Sequence, residues 1–211
     1  ASDVYKRQDG ACSMMLYSMS TLRRRLGLLT AHLVVAVIAL VVIGGATRVM
    51  EAGLACPDWP LCFGSLLPGR QMNVQVFLEW FHRLDAFVIG IALVVMAVVT
   101  ILQRSQLPRW LPWLAAGLMV LVAMQGGLGA LTVTLLLPSG VVTAHLALAL
   151  TLLALLSGLT QRLLHADALV APLWWRIAAL LGLLSVFLQC LLGGRMATAW
   201  AGQRCLSLIH I

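Results

Sequence analysis

Charge is scarce in this sequence: only 10% of its 211 residues are Asp, Glu, Lys or Arg, against about 25% in soluble domains. Lysine is almost missing, with Lys6 the sole copy. With 62% hydrophobic residues and a mean hydropathy of +1.00, a soluble globular fold is excluded and an integral membrane protein is implied. A clustered basic surface is also lacking. Thirteen of the fourteen basic residues are Arg, standing mostly around the ends of apolar runs, so the net charge of +7 reads as membrane topology and not as a nucleic-acid footprint. A cleavable signal peptide is not expected, because Arg23, Arg24 and Arg25 lead into an apolar stretch of full spanning length with no small-residue cleavage site after a short one.

What is there is a series of long apolar runs. A membrane span needs about 20 of them in a row, and five segments qualify: Leu28–Val49, Trp80–Leu102, Leu111–Leu131, Val141–Leu163 and Trp174–Gly194. In lipid each must satisfy its own backbone hydrogen bonds, which predicts an all-α membrane bundle. Arg23 to Arg25, Arg104, Arg109, Arg162 and Arg176 fall in alternate connections, so the positive-inside rule predicts a cytoplasmic N-terminus. Both ends differ from the rest. Residues 1–13 and 203–211 read as non-native tails, with a native start at Met14, Met15 or Met19.

Ionisable groups at membrane depth are costly and mark function. His82 and His145 each stand within the first turn or two of a predicted span, on two helices entering from the same outer side. At matched depth they can ligate one metal centre between them, heme iron in a helix bundle being the usual case; either alone reads as an interfacial polar residue. Gly44, Gly45, Gly126, Gly127, Gly129 and Ala130 line the outer half, giving room for a flat ligand or permitting close helix packing. Glu79 shares a helix face with His82 and is a candidate proton-handling carboxylate, or a charge that stabilises the helix N-terminus. Arg48 and Arg83, at the same level, can pair with cofactor carboxylates such as heme propionates or snorkel to the interface. Asp85, inside the span, is expected to pair with an Arg. In the first outer loop Cys56 and Cys62, with Pro57 and Pro60 between them, can close a disulfide ring on an oxidising face; zinc is the weaker alternative, since no second Cys or His pair lies nearby.

Gly44-Gly45 with Ala52-Gly53 has a counterpart in Gly193-Gly194 with Ala201-Gly202, 149 residues on (44 to 193). The expectation is a four-helix unit over residues 14–163, followed over 164–202 by the start of a second, truncated copy.

Taken together, Gly44-Gly45-Ala46-Thr47-Arg48, Gly53 to Cys62, Glu79-Trp80-Phe81-His82-Arg83, Gly127 to Val133 and Val142-Thr143-Ala144-His145-Leu146 resemble, in order, the motifs of the heme A synthase family (Cox15/CtaA type). The resemblance covers about Leu28 to Gly202. It implies eight helices in two pseudo-symmetric halves, each holding one heme through a histidine pair, and oxidation of the C8 methyl of heme O to the formyl of heme A for terminal oxidases. By motif, His82 and His145 would be the axial ligands of the substrate heme, Glu79 with His82 the catalytic pair, Arg48 and Arg83 cofactor-binding, and Cys56–Cys62 the outer-loop disulfide. The half that would hold heme b is missing from this sequence, since His165 lies in an inner loop and His210 in the suspect tail. The implied setting is the bacterial plasma membrane, with lipid, heme O synthase, an electron donor and terminal-oxidase assembly as partners, a homo-oligomer being compatible and nucleic acid excluded. The competing reading is a b-type heme electron-transfer protein without catalysis.

Overall fold

The computed structural model describes the backbone of residues 2–165 and 171–198 and the side chains of 21–165 and 171–198. The suspected tail 203–211 and the Trp200 to Gly202 end of the repeat lie outside them. Among the described residues five helices follow one another: α1 (Ser2–Val49), α2 (Val74–Leu102), α3 (Leu111–Thr134), α4 (Ser139–Leu164) and α5 (Leu173–Thr198), with a 3-10 turn at Gly69–Gln71. All five are long and apolar enough to cross a membrane, the first from Thr21 to Val49. The fold is an all-α membrane bundle, as the apolar runs predict.

α1 packs on α2 and α4, and α3 packs on the same two, while α5 lies against α4. The first four helices therefore form a square in which α2 and α4 are diagonal. Their apolar core is polarised along the bundle axis. Val37, Leu93, Leu118 and Leu156, one from each helix, are buried in one cluster that continues through Leu26, Leu107 and Leu163 toward the arginine-bearing end. Toward the other end packing loosens. No described residue is buried between Val37 and Thr47 on α1, Glu79 and Ile89 on α2, or Leu118 and Val133 on α3, nor from Ser139 up to Leu152 on α4. Protein interiors are ordinarily close-packed, so this half departs from the rest of the bundle.

Local chemistry explains the helix ends. α2 starts six residues ahead of the apolar run (74 against 80) because the Asn73 side chain caps it, accepting from Val76 N–H at 2.9 Å. His82 is consequently the ninth residue of α2, deeper than one or two turns, while His145 is the seventh of α4. The glycines lie inside their helices: α1 runs on from Gly45 to Val49 and α3 from Ala130 to Thr134. The actual stops are two copies of one device. Ala52 N–H returns to Thr47 O, and Leu137 N–H to Thr132 O, each at 2.7 Å, with Glu51 at φ 54° and Leu136 at φ 58° in the left-handed region. Such closures satisfy the orphan carbonyls of a helix C-terminus.

A candidate imidazole pair at the loosely packed end

His82 projects from α2 against α1. A Cβ built on Gly44 would lie 3.0 Å from His82 Cε1. His145 projects from α4 against α3 in the same way, with a Gly129 Cβ 3.4 Å from its Cε1. Each glycine is thus a seat for an imidazole, and each is followed three residues later by a threonine whose hydroxyl donates back to the glycine carbonyl at 2.7 Å: Thr47 to Gly44 and Thr132 to Gly129. The two seats are 85 residues apart (44 to 129, 47 to 132). The sequence shows glycines here; that they cradle the rings one by one is visible only in the structure.

Both rings hold a polar atom in reserve. Nδ1 of His82 and Nδ1 of His145 are buried without a hydrogen-bond partner among the described residues, a state that costs free energy unless something fills it. Gln125 of α3 shares this state through its Oε1, while its Nε2 lies 3.4 Å from His145 Nε2. Gln125 was findable by the argument that marks the histidines, a polar group inside an apolar span. No group of three or more His, Cys, Asp or Glu side chains converges among the described residues. A zinc-type site built wholly from protein ligands is therefore not formed there. Two imidazoles on separate helices, each with a buried unpartnered nitrogen, would suit a metal that brings other donors with it.

The carboxylate and guanidinium one turn away are fully engaged. Glu79, only 5% exposed, accepts from Cys56 N–H through Oε2 at 2.8 Å and forms an ion pair with Arg83 through Oε1. Arg83 donates further to Asp58 O at 2.5 Å, Leu61 O at 2.6 Å and Cys56 O at 3.4 Å. Cys56 and Cys62 form a disulfide, so Glu79 and Arg83 clamp a closed loop onto the turn of α2 that precedes and carries His82. Trp80 adds a bond from Nε1 to Leu66 O at 2.6 Å. The loop is also held internally: Asp58 accepts from Phe63 N–H and Gly64 N–H at 2.6 and 2.8 Å. These bonds, that from Gly64 foremost, hold the Asp58 carboxyl below its ordinary range.

Arg48 donates to Ala197 O at 3.1 Å and Thr198 O at 3.4 Å, tying the end of α1 to the end of α5. The ion pair expected for Asp85 does not form: among the described residues the one salt bridge is Glu79–Arg83, and Arg83 turns toward the loop, away from the Asp85 side of the helix.

Comparison with known proteins gives these features a context. The chain is 32% identical over 193 residues to heme A synthase of Shewanella oneidensis, covering 80% of the chain and 56% of that protein. It is 31% identical over 202 residues to heme A synthase of Caulobacter vibrioides, covering 79% and 58%. An 81-residue stretch is 41% identical to part of the protoheme IX farnesyltransferase of Haloarcula marismortui, 38% of the chain and 17% of that protein. The chain spans little more than half the length of the heme A synthases it matches. No solved structure matches it. The match that decides the family is broader than any of these: residues 27–210 fit COX15-CtaA, the cytochrome oxidase assembly proteins, and the chain belongs to that family.

Proposed function

We propose that this chain carries the heme-oxidising half of a heme A synthase, in which His82 and His145 together would hold heme iron. The observation that carries the reading is the pair of buried, unpartnered imidazole nitrogens seated on facing hairpins at the level where the apolar core stops. Relatives named heme A synthase and a relative named protoheme IX farnesyltransferase support a heme-derived substrate, heme O, with heme A as product. Bound heme would supply the redox-active iron and the methyl group, which two successive hydroxylations by an external oxidant, followed by loss of water, would convert to the formyl.

The protein's own residues set the conditions. Gly44 and Gly129 fix the direction of the two rings, and the loosely packed level around them leaves room beside them. Arg48 supplies positive charge that offsets cofactor carboxylates; Arg83 can do so only on releasing Glu79 or the loop carbonyls that hold it. Glu79 is placed to hand a proton along that same turn, and it must first release Cys56 N–H or Arg83. The site sits toward the outer face of a bacterial plasma membrane with the N-terminus cytoplasmic, the orientation in which Arg23 to Arg25, Arg104, Arg109 and Arg162 lie inside. A second heme b site in further helices, heme O synthase, an electron donor and the terminal-oxidase assembly pathway complete the picture.

The engaged state of Glu79 favours one other reading, a b-type electron carrier in which this carboxylate only braces the loop. Expression of the gene carrying this chain with a source of heme O, in a host that makes no heme A, separates the two. Hydroxylated or formylated heme by mass spectrometry, lost in Glu79→Gln, is the expected result; unmodified heme alone, with reversible electron transfer intact in Glu79→Gln, would establish the carrier.

A further inference from the structure

At the end of the bundle remote from the histidines, a cavity of about 190 Å³ opens between Arg23 of α1, Pro108 and Trp110 ahead of α3, and Arg162 of α4. It is smaller than the ~300–1,000 Å³ of pockets that enclose whole organic ligands, so it suits a single small group. Two guanidinium-bearing residues line it, and they are tied together: Arg23 Nη2 donates to Arg162 O at 2.7 Å. This leaves most of the Arg23 donors, and among the described residues all of those of Arg162, without a partner.

Nothing described nearby neutralises them. The acidic side chains among the described residues, Glu51, Asp58, Glu79 and Asp85, all belong to the histidine-bearing half. The same end of the bundle carries Arg24, Arg25, Arg104 and Arg109, all exposed. α3 begins at Leu111 with no side-chain cap from Trp110, so the positive end of its dipole adds to the same field. A concave, cationic site with no acidic side chain beside it among the described residues calls for an anion, and guanidinium forks match phosphate oxygens. Trp110 at 41% and Trp113 at 81% exposure mark the interfacial level at which lipid headgroups lie.

We propose that this cavity binds a phosphate group, carried by the headgroup of an anionic phospholipid or by a soluble phosphate. Basic pockets between membrane helices recognise headgroups by this chemistry. The site is separate from the imidazole pair and stands whether or not the heme reading holds.

Native mass spectrometry of the full chain, titrated in detergent with phosphatidylglycerol, phosphatidylcholine or inorganic phosphate, tests it. Phosphatidylglycerol is expected to be retained over phosphatidylcholine, and Arg23→Gln with Arg162→Gln to weaken that retention about tenfold or more. Arg104→Gln with Arg109→Gln removes equal charge from the same end without lining the cavity, and should stay within about threefold of the parent. Inorganic phosphate competing at millimolar concentration would assign the soluble source; no competition assigns the lipid. Equal retention of the two lipids together with no phosphate binding, or equal losses in the two double variants, would overturn the proposal. Arg162→Gln alone removes no described side-chain contact of the fold, so its loss of binding remains readable if the double variant does not assemble.

Discussion

The α1–α2 and α3–α4 hairpins are built on one plan and finished differently. Each first helix ends in a Gly-x-x-Thr seat, Gly44 with Thr47 and Gly129 with Thr132, and each second helix lays a histidine on that seat. Yet α3 and α4 are joined by residues 135–138 alone, while α1 and α2 are joined by residues 50–73, folded around a disulfide and clamped by Glu79 and Arg83. The shared part positions two rings symmetrically. The unshared part puts charge and covalent closure beside only one of them. On the proposed reading, this difference separates a ligand role common to both histidines from chemistry confined to the His82 side.

The largest expected blow to that asymmetry is Arg83→Gln. It leaves Glu79 buried without its cation, and breaking a buried pair costs about 3 kcal/mol or more, partly reduced here because the Arg83 side chain is 14% exposed. Thermal unfolding in detergent should fall markedly and protease cleavage should appear in residues 50–73; an unchanged midpoint would show that the clamp is idle. Replacing Cys56 and Cys62 together by Ser should cost about 2 kcal/mol, from the loop entropy of a six-residue separation. Its effect should be confined to the α1–α2 side, so heme retention through His145 would persist.

The seats offer a finer comparison. Gly44→Ala forces the His82 ring to yield, because the new Cβ meets Cε1 at 3.0 Å, whereas Gly129→Ala meets His145 at an easier 3.4 Å. Overpacking of this kind costs about 1–3 kcal/mol, partly offset by the helix preference of Ala over Gly, about 1 kcal/mol. The electronic spectrum of bound heme should therefore shift in Gly44→Ala and stay close to the parent in Gly129→Ala; the reverse order would break the comparison. The smallest effect concerns pH. Asp58 has a depressed pKa in the folded loop, so its contribution is present above the unfolded value and lost as pH falls through the folded one. Amide protection at Phe63 and Gly64 should persist to below the ordinary 3.8 and vanish in Asp58→Ala at all pH values.

Much of this was legible in the sequence, for physical reasons. Lipid forbids unsatisfied backbone, so five apolar runs could only be helices, and the price of polar groups at depth pointed to His82, His145 and Glu79. Helix ends were less legible where they depend on caps: Asn73 moved the start of α2, and α3 runs past the predicted Leu131 to Thr134 before its left-handed closure at Leu136, whereas α1 ends at the predicted Val49. The partners of Arg83 and Glu79 were not legible at all. Sequence spacing shows that 79 and 83 share a helix face, but a loop folding back to offer Cys56 N–H and three carbonyls is a tertiary fact. Asp85 illustrates the same limit, since the nearest Arg in sequence is committed elsewhere.

The central claim is that His82 and His145 are joint axial ligands. Near-infrared magnetic circular dichroism of the heme-loaded chain tests it most directly. The account predicts a bis-histidine charge-transfer band in the parent that disappears in both His82→Ala and His145→Ala; a chain that takes up no heme, or a band that survives either substitution unchanged, would contradict it.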